Sequence, residues 1–409
     1  MNKKSVLIWS LYDFANSFVF ISFLIYFSKW LVINQGLSDW LYNASYIIGS
    51  IGLLFLAPWL GSKADKLKKG QKYLALSTYG CFIFYGLAIV GAISGINILL
   101  ILFFFALGNF FYQLSFAFYN PILNNISIST NQGRVSGVGF FANYLGQIGG
   151  VLVAIPFIAG TITIKSVDPL IAALIPGIII FILLSLPLIY SKKLFLAPEN
   201  KVSFQNEQPS QRGLLKALTR IPGVLYFMIA FFLFSDAVTT ITNNFSIFTS
   251  NVFKASDAQI SAITLAVIVF AGIGAWLWGI ISDKIGSKKT LAVILISWVI
   301  IIPTVALLHS YSIYFIFAIL AGSSIGGTYA VSRQLVISLV PARMLNYTFG
   351  IYAIAERAAT LLGPLTWSIV LAFHGYRGAM LFMVVFQIVS VVLIARVPAT
   401  NNKPQVIIS

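Results

Sequence analysis

Four ionisable residues fall inside long apolar stretches of this sequence: Asp13, Asp236, Glu356 and Arg357. A charge within lipid is costly unless it is paired or faces water, so each is a candidate for holding a solute or relaying a proton. Asp13 lies roughly 12 Å into its stretch at about 1.5 Å per helical residue, with Asn16 and Ser17 on the same face. Asp236 lies about 22 Å into its own stretch, and Thr239, Thr240 and Asn243 extend its face by one and two turns. For Asp13, near one end of its span, a structural role in capping or pairing with a neighbouring helix stands beside the functional one. Glu356 and Arg357 sit about 16 Å in and point about 100° apart, so they do not simply neutralise each other. Two chemistries stay open for them: an interhelical ion pair, or a site in which Arg357 grips a carboxylate through its planar fork. In the second, Asp236 or Glu356 is left for an ammonium group or a proton.

Neutral groups add to the set. Asn109, Tyr112 and Gln113 share one apolar stretch, and Asn143 and Gln147 share the next. Amides in such positions bond a neighbouring helix or line a polar cavity. His309 and His374 stand apart from each other and from acid clusters, which offers no metal site. The single cysteine, Cys81, excludes a disulfide within one chain and reads as packing. No cofactor is expected, because no Gly-x-x-x-x-Gly-Lys-Ser/Thr loop for a nucleotide is present.

The elements that must position these residues are membrane helices. The 409 residues are 59% hydrophobic and only 9% charged, too little polar surface for a water-soluble globule. Apolar runs of roughly twenty residues, each long enough to cross about 30 Å of hydrocarbon, recur along the chain. They fall near 5–28, 39–60, 73–93, 97–120, 136–160 and 168–190, then 221–247, 256–281, 289–309, 311–333, 345–373 and 376–396. The reading is an all-α polytopic membrane protein with twelve transmembrane helices in two six-helix bundles. Phe103 to Phe105, Phe110 and Phe111 are expected to face lipid or to pack.

The net charge of +16 arises from basic residues in short loops, so no nucleic-acid partner is expected. About 21 of the 26 Lys and Arg fall on the side holding Lys3, Lys63 to Lys72, Arg134, the central linker, Lys284 to Lys289, Arg343 and Lys403. That side is expected to be the cytoplasm, with both termini on it, in a multi-pass protein of the cell membrane. The first apolar run lacks a small-residue cleavage pattern and reads as an uncleaved helix.

A polar stretch at 191–220, with Pro198, Glu199, Glu207, Pro209 and Arg212, divides the chain into an N-terminal bundle, 1–190, and a C-terminal bundle, 221–409. Gly61-Ser-Lys-Ala-Asp65-Lys66 after the second span returns after the eighth as Gly279-Ile-Ile-Ser-Asp283-Lys284-Ile-Gly286. Asp13 with Asn16 echoes in Asp236 with Thr239, and Gly139-Phe-Phe-Ala142 in Gly350-Ile-Tyr-Ala353. Repeated helical halves with a site at their interface are a recurring plan of secondary transporters.

The repeated loop resembles the signature loop of the major facilitator superfamily. Trp9-Ser-Leu-Tyr12-Asp13-Phe14-Ala15-Asn16-Ser17 is similar to the opening helix of the branch containing the fungal autophagy-related vacuolar amino-acid effluxers and their bacterial relatives. Phe118-Tyr119-Asn120-Pro121, Ser332-Arg333-Gln334-Leu335 and Leu362-Gly363-Pro364 resemble further motifs of that branch. The chain departs from it at Met344, Leu345 and Asn346, where acidic residues are usual, at Glu356, where a small residue is usual, and at Gln147, where the superfamily's antiporter motif has proline. The resemblance implies that the Asp65 and Asp283 loops clamp the cytosolic face by pairing with basic residues and helix ends, with Arg134 and Arg343 in suitable loops.

Together these readings point to a monomeric secondary transporter of a small polar organic solute, with an amino acid the class the resemblance implies and proton coupling a hypothesis resting on the buried acids. A solute sensor or scaffold on the same fold is the alternative. Its mark would be a large soluble domain, and the linker and tail are both short. An intramembrane enzyme lacks a His/Asp metal set or a Ser-His or Cys-His nucleophile.

Overall fold

The computed structural model describes residues 3–37, 39–195, 211–358 and 362–398, with the side chains of some helical residues, Arg357 and Arg212 among them, outside that description. Pro198, Glu199, Glu207 and Pro209 of the linker and Lys403 of the tail also lie outside the described residues. Every regular element among the described residues is helical. We number the long helices α1 Lys3–Ser22, α2 Asp39–Leu67, α3 Gly70–Ser94, α4 Ile98–Tyr119, α5 Gln132–Ile158 and α6 Leu174–Tyr190. They continue as α7 Val224–Phe253, α8 Asp257–Ile285, α9 Ser287–Leu307, α10 Tyr311–Leu339, α11 Leu345–Ala358 and α12 Leu362–Ala395. α1 runs on through two π-helical turns, Phe23–Phe27 and Trp30–Asn34.

Among the described residues, ten helical segments are long and apolar enough to cross a membrane. The other two expected spans have visible reasons for escaping that measure. Most side chains of the second lie outside the description, and the eleventh, 345–373, is divided between α11 and the first part of α12. Gly375, at φ 66 and ψ −176, breaks α12 into the end of that span and the start of the twelfth.

Local chemistry sets several helix starts. Asn97 accepts the Leu99 N–H at 2.8 Å to open α4, and Asp168, followed by Pro169, accepts the Leu170 N–H at 2.8 Å ahead of α6. Ser256 and Gln259 form a reciprocal capping box at the start of α8.

The chain divides into two compact units. Unit 1 comprises residues 1–126, 142–206 and 343–353, and unit 2 comprises 127–141, 207–342 and 354–409. The opening turns of α5 thus group with the C-terminal helices, and the opening turns of α11 with the N-terminal ones. The core of unit 1 is aromatic: Phe23 stacks on Tyr85 at 3.9 Å between centroids, and Phe27 and Phe105 meet at 5.0 Å. Phe105 is fully buried and Phe103 exposed, so the phenylalanine run splits between packing and outer surface. Cys81 is buried and unbonded. In unit 2, α7 packs on α12, α8 on α10 and α9 on both α10 and α12.

Candidate functional site

Unit 1 places Asp13 at a junction of three helices. Its carboxylate is fully buried and accepts the Tyr119 hydroxyl of α4 at 3.0 Å and the Asn143 amide of α5 at 3.0 Å. Gln147, one turn along α5, donates to Asn143 at 2.9 Å, so Asp13, Asn143 and Gln147 form one chain of hydrogen bonds. Tyr119 in turn stacks on Trp9 at 4.9 Å and on Tyr12 at 5.1 Å. The two stretches that carry the family resemblance, Trp9 to Asp13 and Phe118 to Asn120, therefore meet at the Asp13 carboxylate. Asn16 donates to Ser115 at 3.4 Å; among the described residues its carbonyl oxygen, the Gln113 carbonyl and both polar atoms of Asn109 are buried without partners.

Unit 2 treats its acid differently. Asp236 on α7 is fully buried and has no side-chain hydrogen-bond partner among the described residues; the backbone N–H of Gly363 on α12 is the donor beside it. Thr240, one turn on, is buried with no hydrogen-bond partner for its hydroxyl among the described residues, and both side chains pack against the backbone of Gly363 on α12. Asn243, two turns from Asp236, is exposed, and Glu356 on α11 is half-buried. The side chain of Arg357 lies outside the described residues, so the expected pairing of Arg357 with an acid has no described geometry.

The repeated loops make two matching contacts. Asp65, one turn after Gly61 at the end of α2, accepts the backbone N–H groups of Asn346 at 3.3 Å and Tyr347 at 2.9 Å, and also the Asn346 amide at 2.5 Å. Asp283, one turn after Gly279 at the end of α8, accepts the N–H groups of Gly133 at 2.6 Å and Arg134 at 2.8 Å, and the Gln334 amide at 3.2 Å. Each carboxylate thus takes the N–H groups of the second and third residues of a helix, where unsatisfied donors and the positive end of the helix dipole favour an anion. The glycines let the helices approach: a Cβ at Gly61 would stand 2.6 Å from the Asn346 carbonyl oxygen, and one at Gly279 would strike that of Gly133. Arg134 serves Asp283 through its backbone, and its side chain is exposed, as are Lys66, Lys284, Gly286 and Arg343.

One intramembrane cation lay outside the sequence-predicted set. Arg333 on α10 is buried, with its guanidinium carbon 4.1 Å from the centroid of the Phe140 ring of α5. Its position inside the Ser332 to Leu335 motif was the signal that could have singled it out.

Residues 38–406 match the family described as vacuole effluxer Atg22 like. The chain belongs to this family. It is 24% identical over 424 residues to an uncharacterized MFS-type transporter, YxiO, of Bacillus subtilis, covering 96% of this chain and 95% of that protein. It is also 26% identical over 284 residues to autophagy-related protein 22 of Eremothecium gossypii, covering 63% of this chain and 54% of the relative. Among solved structures, it resembles FucP, a major facilitator superfamily transporter in the outward conformation, with a TM-score of 0.76 and 13% identity over 97% of this chain and 99% of that one. The proton:xylose symporter XylE aligns with a TM-score of 0.72 and 14% identity over 98% and 96% of the two chains. This Atg22-like chain is therefore a multi-pass membrane protein with the twelve-helix fold of the major facilitator superfamily. Asn346, which stands where the branch usually has an acid, is in this member a donor to Asp65.

Proposed function

We propose that this Atg22-like chain is a secondary transporter that moves a small polar organic solute by alternating access, with an amino acid as the substrate class and a proton as the coupling ion. The observation that carries the reading is Asp236, a fully buried carboxylate in a membrane helix with no side-chain partner among the described residues. Such a group is tolerated where it binds something that comes and goes. Unit 2 adds Glu356 half-buried on α11, a second carboxylate suited to an ammonium group or a proton. Arg357, next in sequence, is the candidate for the substrate carboxylate. In unit 1 the candidates are Asn16, Gln113, Asn143 and Gln147, with Asp13 organising α1, α4 and α5. The Asp65 and Asp283 contacts serve as conformational latches in this account, since each is a compact set of bonds at a helix start that can form or break as a unit. The excess of Lys and Arg on one side supports a cell membrane location with both termini cytoplasmic.

The test is a radiolabelled counterflow screen on purified protein in liposomes, beginning with amino acids and repeated with a proton ionophore. Exchange of at least one amino acid, with uphill uptake abolished by the ionophore, is expected. No countertransport of any amino acid would remove that substrate class and leave the fold untouched.

A further inference from the structure

In unit 1 the end of α6 is fastened to the start of α3 at two points. The Gln71 amide donates to the Ile189 carbonyl at 2.6 Å, and the Phe195 ring lies 3.8 Å from where a Cβ on Gly70 would stand. Between these fastenings the chain carries Lys192 and Lys193, and Lys72 stands beside Gln71; all three lysines are exposed. The acid nearest to Lys72 in sequence, Asp65, is held by the start of α11. From residue 40 to residue 167 the sequence has no other acid.

Two turns along α3 from Lys72, the Tyr79 hydroxyl lies 3.1 Å from the Tyr190 hydroxyl of α6. One hydroxyl donates to the other, which leaves one O–H of the pair to donate elsewhere. Past them the surface turns to hydrocarbon. Leu76, Ile83 and Val90 recur every seven residues on α3, Ile179 and Leu183 lie one turn apart on α6, and all five are exposed. The helices stay in contact there, since a Cβ on Gly86 would stand 3.9 Å from Ile178. Ammonium groups at the helix ends, phenol hydroxyls next and an apolar seam beyond match the profile of an amphiphile with an anionic head. Basic pockets between membrane helices bind phospholipid headgroups, and tyrosine sits at headgroup level.

We propose that Lys72, Lys192 and Lys193, with the Tyr79–Tyr190 hydroxyl pair, hold the headgroup of an anionic phospholipid whose acyl chains run along the α3–α6 seam. Three lysines repel the ammonium group of a zwitterionic lipid, and a free phosphate ester has no chains to lay on the seam. The overall excess of Lys and Arg on one side accounts for lysines but not for a hydroxyl pair between them and the apolar stripe. Such a site follows from the membrane fold alone, whichever solute or ion is moved.

The test is native mass spectrometry of the purified full chain in detergent, titrated with phosphatidylglycerol or with phosphatidylethanolamine of the same acyl chains. One phosphatidylglycerol is expected to bind saturably, at least about tenfold more tightly than phosphatidylethanolamine. Excess glycerol phosphate is expected not to displace it. The triple variant Lys72→Gln, Lys192→Gln, Lys193→Gln is expected to weaken binding by at least about tenfold. Tyr190→Phe leaves the net charge unchanged and is expected to weaken binding by about threefold or more. Equal binding of the two lipids overturns the site, as does binding unchanged in the triple variant. Binding unchanged in Tyr190→Phe overturns it in favour of diffuse attraction to positive charge, and displacement by glycerol phosphate overturns the lipid as occupant. The comparison of the two lipids on the wild-type chain decides even if the triple variant fails to fold.

Discussion

The backbone N–H of Tyr347 donates to the Asp65 carboxylate at 2.9 Å, at the third residue of α11. The N–H of Arg134, the third residue of α5, makes the corresponding bond to Asp283 at 2.8 Å. In both places a glycine one turn earlier, Gly61 or Gly279, brings the helices close enough for the carboxylate to reach the amides. The sequence repeat is therefore also a repeat of structure at the bond level: a carboxylate at one helix end caps the start of another helix. Hydrogen bonds to a charged acceptor are each worth about 1.5–3 kcal/mol, more than an exposed ion pair.

Removing either carboxylate should free the amides it holds. In hydrogen-exchange mass spectrometry, Asp65→Ala is expected to speed exchange at Asn346 and Tyr347 by roughly tenfold or more, and Asp283→Ala to do the same at Gly133 and Arg134. Each effect should stay local to its own helix start. Unchanged protection at Tyr347 in Asp65→Ala would show that the latch carries no free energy.

Gly61→Ala tests the close approach instead of the charge. The added methyl meets the Asn346 carbonyl, and overpacking of this kind costs about 1–3 kcal/mol. The variant should melt below wild type in detergent, and its Asn346 and Tyr347 amides should exchange faster although Asp65 is intact. A melting temperature equal to that of the wild type would contradict the packing described at this crossing.

Tyr119→Phe deletes the hydroxyl that donates to Asp13 while keeping the rings stacked on Trp9 and Tyr12. The expected loss is about 1–3 kcal/mol, because a buried charge is left short of a donor. Combined with Asp13→Ala in a double-mutant cycle, the two changes should be non-additive, since each removes the same Tyr119–Asp13 bond. Strict additivity in thermal unfolding would mean that the pair does not interact.

Much of this was legible in the residues. Apolar length marked the helices, and the Gly-to-Asp spacing marked both latches, because the same four-residue step places glycine and carboxylate on one helix face. Which amides and side chains complete those contacts was not legible. The resemblance implied basic residues and helix ends as the carboxylates' partners; the helix starts of α11 and α5 take that place through backbone amides, joined by the side chains of Asn346 and Gln334, while Arg134 adds its charge near Asp283 and Arg343 is exposed. A backbone donor has no residue type, so nothing in a sequence advertises it. Tyr119 escaped notice for a related reason: an aromatic residue in a lipid-facing chain reads as packing until its hydroxyl is seen on Asp13. The contrast between Asp13, engaged by two side chains, and Asp236, which has no side-chain partner among the described residues, also needed coordinates, since both occur in similar polar stripes.

The central claim is that Asp236 and Glu356 of unit 2 couple solute movement to an ion gradient. The most direct measurement is gradient-driven accumulation of the solute identified by counterflow, in liposomes containing wild type, Asp236→Asn or Glu356→Gln at matched protein content and with melting temperatures verified. The account predicts that wild type accumulates solute uphill and that at least one of the two variants loses accumulation by tenfold or more, about 1.4 kcal/mol of coupling. Full uphill accumulation by both variants would contradict it.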